Sequence, residues 1–217
     1  MRGRTIQFED HIPEAFSVSR AAAFSWDRQT LKERLSRSCD GLDPGVLLEG
    51  LGRPAAVLIG LLNVPEGLQV ILTQRTAHLT NHPDEISLPG GRVEDGDFGP
   101  VETALREAHE EIGLLPGKVE ILGSLPAYRT VSDYLVDPIV GWIEAPVEFV
   151  PDRYEVADVF LVPLDFIVDS ANHHVGSIFH EGRERGFWVI PYPGHRIWGA
   201  TAGILVNLAR TLSCPEL

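Results

Sequence analysis

Apolar runs alternate with turn residues along most of the chain, and the runs differ in period. Residues 55–64, AAVLIGLLNV, form a continuous apolar run of strand length, and 68–75, LQVILTQR, form a second. Pro65-Glu66-Gly67 between them reads as a turn, so the pair predicts a hairpin of buried strands. Further extended segments are predicted at 85–88, 118–125, 134–143 and 156–164, with a second hairpin from 173–181 and 185–192. Pro138 lies inside the 134–143 run; proline lacks the ladder N–H, which predicts an edge position or a bulge. Residues 128–132 read as a loop. Helical period appears at 26–36, capped by Ser25 with Leu31 and Leu35 on one face, and at 201–212 with Ile204, Leu205, Leu208 and Leu212 inward. A short helix is predicted within 165–170. Many strands and few helices predict the α/β class, a mixed β-sheet covered by helices in an α/β/α sandwich. Residues 1–50 read as an N-terminal arm with a short helix and 51–217 as the main domain.

The segment 100–112, PVETALREAHEEI, carries the chemistry. Pro100 suits a first helical position and Gly113 a C-terminal stop. On a 3.6-residue turn Val101, Leu105, Ala108 and Ile112 form one apolar stripe. Glu107, Glu110 and Glu111 fall together on another face. Three neighbouring carboxylates repel one another, and a hard divalent cation turns that cost into a binding site. Taken without context, the same triplet also reads as a solvated acidic face.

Composition narrows the partners. The chain has 217 residues and a formal net charge of −13, which argues against nucleic acid, whose binders need a basic footprint. A small polyanion remains compatible, because bound cations and clustered arginines can invert the local sign. Cys39 and Cys214 match no metal or redox spacing, and free thiols are expected. No apolar run reaches the length of a membrane span, and the first residues lack the core of a secretory signal, so a cytoplasmic protein away from the membrane is expected. The histidines match no zinc set.

Context around the helix is more specific. A Gly90-Gly91 turn precedes it, and Arg106-Glu107-Ala108-His109-Glu110-Glu111-Ile112-Gly113-Leu114 follows the order Arg-Glu-aliphatic-x-Glu-Glu-x-Gly-aliphatic. This resembles the Nudix box, the signature of hydrolases acting on nucleoside diphosphates linked to another group. The first acid of that box is Asp97 here rather than Glu, and one extra residue separates it from Arg106. Upstream, Leu72-Thr73-Gln74-Arg75, His78-Leu79, His82 and Glu85-Ile86-Ser87-Leu88-Pro89-Gly90-Gly91 are similar to the coenzyme A pyrophosphatase branch, which carries the longer box. Asp84 stands where that branch has Gly, and Leu88 where it has Phe. The segments 155–164 and 197–204 are also similar to that branch.

The resemblance implies a Nudix-like fold and cleavage of the diphosphate of coenzyme A or its acyl esters. It implies Mg²⁺ or Mn²⁺ held by Glu107, Glu110, Glu111 and the Gly91 backbone, with Arg106 fixing a glutamate by a bidentate contact. The general base stays open between a helix glutamate and Glu155. Coenzyme A carries a 3′-phosphate, so Arg75, Arg92 and Arg129 are candidate substrate-binding residues together with His82. Tyr128 and Trp198 are candidates for adenine or pantetheine, or else core residues. Other Nudix substrates (ADP-ribose, NADH, a nucleoside triphosphate) and a non-catalytic ligand-binding module are the alternatives. A homodimer is compatible with all of these.

Overall fold

The computed structural model describes residues 26–45, 52–78, 84–180 and 183–215. Ser25 and His82 lie outside them. The first helix, α1 (Arg28–Leu35), is capped instead by Asp27, whose carboxylate accepts from the Thr30 N–H at 2.9 Å. Leu31 is fully buried and joins the same core as the C-terminal helix, so this part of the arm is built into the domain.

Among the described residues eight strands form one mixed sheet: β1 (Arg53–Val64), β2 (Gly67–Arg75), β3 (Ile86–Ser87), β4 (Gly90–Arg92), β5 (Val119–Ser124), β6 (Tyr128–Arg129), β7 (Tyr134–Glu144) and β8 (Val156–Pro163). The expected first hairpin is β1–β2. Strand β1 runs parallel to β7 from Arg53 to Asn63 and antiparallel to β2 and β4 on its other side. Tyr128 and Arg129, read from sequence as loop, pair with β7. The second hairpin is present as β9 (His174–His180) and β10 (Arg183–Tyr192), extended by β11 (His195–Trp198).

Strand alternation sorts β1 between two cores. Ala55, Ile59 and Leu61 face α1, α3 (Leu164–Val168) and α4 (Gly199–Ser213). Ala56, Leu58 and Leu62 face α2 (Pro100–Ile112). Helices on both faces give the α/β/α sandwich that the patterning predicts, because each face of a sheet buries its own set of alternate side chains.

Two expectations are corrected. Pro138 is not on an edge: β7 is interior, with β1 on one side and β5 and β6 on the other. Its carbonyl accepts from Leu125 at 3.0 Å, and a strand residue directs its N and C=O to the same neighbour. The absent N–H therefore falls where the chain leaves β5 for β6. On α2, the buried residues are Thr103, Ala104, Ala108, Glu111 and Ile112. Val101 is 38 % exposed and with Leu105 lines an open groove beside Phe98 and Pro116, so the buried stripe is rotated toward the glutamates. Cys39 and Cys214 are free, as expected; they also meet, and the hydrogen bond between them together with burial pushes the Cys39 thiol up to about 11.

Candidate functional site: an acidic helix face against a Gly-Gly turn

Helix α2 begins at Pro100 and stops at Gly113, which has φ 70°, a left-handed conformation that glycine adopts without a Cβ penalty. Gly113 and Leu114 donate back to the carbonyls of His109 and Ala108. The following loop also closes on the helix: Val150 donates to the Ile112 carbonyl and Asp152 to that of Glu111, each at 2.9 Å. This return carries Glu155 close enough to Glu111 for the two charges to repel.

The opposite wall is the Gly-Gly turn. Strand β4 pairs with β1 so that Gly91 lies opposite Ala56, on the face covered by α2. The Glu107 carboxylate lies directly on it; a Cβ built at Gly91 would sit 2.3 Å from Glu107 Oε1. The Gly90 N–H donates to Glu111 Oε2 at 3.2 Å. Gly90 has φ 157°, and a Cβ there would meet the Ala56 carbonyl oxygen at 2.4 Å. Both glycines therefore make room for a close approach, Gly90 for backbone and Gly91 for a carboxylate.

Electrostatics sharpen this corner. Glu111 is 5 % exposed. Desolvation pushes its carboxyl up to about 8, against the opposing effects of the Gly90 N–H and Arg75, while the Glu107 and Glu155 charges add to the rise. Arg75 Nη1 lies 3.8 Å from Glu111 Oε1. Desolvation also raises the Glu107 carboxyl, and Arg106 opposes it. Glu110 is different: its side chain is 58 % exposed and accepts from Arg106 Nη1 at 3.0 Å.

Arg106 is the hub. Its bidentate partner is Asp97, not a glutamate: Nε reaches Oδ1 and Nη2 reaches Oδ2, both at 3.1 Å. Nη1 is shared between Glu107 and Glu110, and Nη2 also donates to the Arg92 carbonyl at 3.0 Å. Asp97 further accepts from the Glu94 N–H and the Thr103 hydroxyl. These donors, Arg106 first, hold its carboxyl well below the usual carboxylate range. Sequence reasoning missed this clamp; the signal was an acid displaced by one residue from the expected spacing.

The donor set suits a hard divalent cation, since carboxylate oxygens crowd a glycine backbone with no side chain between. Glu107 and Glu111 both front Gly90-Gly91, whereas Glu110 is turned to Arg106. Among the described residues no three acidic, histidine or cysteine side chains enclose a single point.

The other candidates divide. Arg75 lines the site. Arg129 does not: its side chain is buried, pairs with Asp133 and lies beneath Gly52. Arg92 lies opposite Ala55, on the sheet face away from α2, and its guanidinium is over the Tyr134 ring. Tyr128 is a core residue whose hydroxyl end fills the space above Gly203. Trp198 packs edge-on to Phe187. His109 is exposed.

Residues 52–176 match the family model for the NUDIX domain. The chain is 38 % identical over 182 residues to the uncharacterized Nudix hydrolase NudL of Escherichia coli K12, covering 83 % of this chain and 93 % of that protein. The same identity and coverage hold for NudL of Escherichia fergusonii. Among solved structures, the Nudix hydrolase RenU of M. smegmatis superposes with a TM-score of 0.51 at 20 % identity, over 82 % of this chain and 98 % of that one, a likeness of fold. The clamped arginine, the glycine turn and the acidic helix thus sit within matched sequence, and the chain belongs to the NUDIX domain family as a Nudix hydrolase of diphosphate-containing substrates.

Proposed function

We propose that the protein hydrolyses the diphosphate of coenzyme A or its acyl esters, giving (acyl-)4′-phosphopantetheine and adenosine 3′,5′-bisphosphate. The observation that carries the hydrolytic part is the pairing of buried Glu111 and half-buried Glu107 with the side-chain-free Gly90-Gly91 turn. The substrate class rests on the similarity of 72–91 to the coenzyme A pyrophosphatase branch. Nudix hydrolases use divalent metal ions, and Mg²⁺ or Mn²⁺ is the expected species, held by Glu107, Glu110, Glu111 and the Gly91 backbone. When bound, such an ion neutralises phosphate charge and acidifies water.

The residues supply the rest. In the reaction the water oxygen bonds to phosphorus, one bridging P–O bond breaks, and the water proton passes to a base. Glu155, repelled by Glu111 across the site, and the helix glutamates are the bases within reach. Arg106, fixed by Asp97, orients Glu107 and Glu110. Arg75 balances the charge of Glu111 and offers a contact to the diphosphate. His82 is proposed as a substrate contact from the sequence alone. The protein is proposed to work in the cytoplasm; among the described residues no helix is long and apolar enough to cross a membrane.

A panel of coenzyme A, acetyl coenzyme A, ADP-ribose, NADH and nucleoside triphosphates, supplied with Mg²⁺ or Mn²⁺ and read by mass spectrometry, tests the reading. The expected products are those named above, and Glu110→Gln and Glu111→Gln lose turnover while keeping the native circular dichroism. Faster cleavage of ADP-ribose or of the nucleoside triphosphates would overturn the substrate class. No cleavage of any diphosphate would favour a ligand-binding module.

A further inference from the structure

On the sheet face opposite the glutamates, three adjacent strands bring together two arginines and one tyrosine. Arg53 on β1 lies opposite Tyr134 on β7, and Arg92 on β4 lies opposite Ala55 on β1. Ala55 is small and buried, so the Arg92 side chain can cross it toward β7. The Arg53 guanidinium carbon stands 4.1 Å from the Tyr134 ring centroid and that of Arg92 stands 5.6 Å from it. Both arginines are exposed.

Two like charges on one ring repel each other, and each contact with a ring face offsets only part of that. In a chain of net charge −13 a carboxylate would be the expected neutraliser, yet among the described residues neither guanidinium has an ion-pair partner. The neighbouring acid, Asp133, is engaged by Arg129. Arg53 is also held in place: its N–H donates to the Asp133 carbonyl at 2.8 Å and its guanidinium to the Ser132 carbonyl. A pre-positioned pair of forked donors suits a phosphate, which both can grip at once.

The pair is also tied to the candidate active site. Arg92 follows Gly91 directly, and its carbonyl accepts from Arg106. Strand β4 pairs with β1 alone among the described strands, and on its other side the Gly90 N–H and the Arg92 carbonyl are taken by Glu111 and Arg106 of α2. One residue step along β4 passes from the glutamate face to the Tyr134 face.

We propose that Arg53, Arg92 and Tyr134 form a subsite for a phosphomonoester of the substrate that is not cleaved, and that this subsite sets substrate preference. Resting on the coenzyme A reading, that group is the 3′-phosphate of the adenosine moiety. Arg53 and Tyr134 thereby become specificity residues, and Arg129 leaves the set.

The test uses binding as well as turnover. Wild-type protein, Arg53→Gln, Arg92→Gln and the double variant are titrated calorimetrically with adenosine 3′,5′-bisphosphate and with adenosine 5′-monophosphate. Wild type should prefer the bisphosphate by roughly tenfold or more, each single variant should lose most of that preference, and Arg53→Lys should keep part of it. Coenzyme A and dephospho-coenzyme A turnover by the same proteins should show the same collapse in the ratio of their kcat/KM values. A wild type without preference, or a preference that survives the double variant, overturns the subsite. Coenzyme A cleavage with an Arg-independent preference sinks the subsite and leaves the function standing. An Arg-dependent preference without coenzyme A cleavage does the reverse.

Discussion

At the scale of single residues, the two glycines of the turn have different jobs and should fail differently. A methyl at Gly91 meets the far end of the flexible Glu107 side chain, whereas a methyl at Gly90 meets backbone at a left-handed φ. Gly91→Ala is expected to cost roughly 1 kcal/mol or less in stability, because Glu107 can swing aside. It should lower kcat/KM by about a hundredfold, because the displaced carboxylate is one of the proposed metal ligands. Gly90→Ala should instead destabilise by about 1–3 kcal/mol, read by urea unfolding. Glu111 makes a second prediction. Its carboxyl is pushed up to about 8 from an ordinary value of 4.5. Between those values the folded protein holds a proton that the unfolded chain has released, so metal-free stability falls as pH rises through this window. Burial of the group is nearly complete, so the loss amounts to a few kcal/mol at most. Denaturant unfolding in chelator across that window should show the slope, and Glu111→Gln should flatten it.

At the scale of elements, α2 is held by what packs at its two ends. Asp97 binds the guanidinium of Arg106 from the preceding turn, and the 150–155 loop bonds the last carbonyls. The helix period placed Glu107, Glu110 and Glu111 on one side correctly. It did not reveal that Glu111 falls inside the buried arc with Ala104 and Ala108 while Val101 turns outward, because the arc is set by where β1 presents Ala56 and Leu58. Asp97→Asn removes the charge that fixes Arg106 and should lower kcat/KM at neutral pH, with Arg106→Lys behaving similarly because an ammonium cannot make the forked contact. The Asp97 carboxyl is depressed in the folded state, so its stabilising effect is complete above the ordinary carboxylate range and is lost only as pH falls below it. The melting-temperature gap between wild type and Asp97→Asn should therefore be open at neutral pH and close in acid.

At the scale of the whole molecule, one twelve-residue strand organises both proposed functional faces. β1 carries Ala56 toward the glutamate helix and Arg53 and Ala55 toward α4, and β4 repeats the division with Gly91 and Arg92. The α4 side supplies the larger core, in which Leu205 and Leu208 are fully buried. Leu205→Ala should cost about 2–5 kcal/mol by thermal or urea unfolding, while kcat per folded molecule stays near wild type, since the helix lies on the side away from the glutamates.

The sequence by itself determined the strands of the first hairpin, the limits of α2 from Pro100 to Gly113, the layered class and the acidic ridge, because each of these is a local pattern of period two or 3.6 with turn residues at its ends. Tertiary structure alone decided which charges meet. Strand register put Arg92 opposite Ala55 and away from the glutamates, the β6–β7 pairing buried Arg129 against Asp133, and loop closure set Asp97 on Arg106 and Glu155 near Glu111. Those contacts join residues through pairing and packing across the fold, and no local periodicity along a chain encodes them.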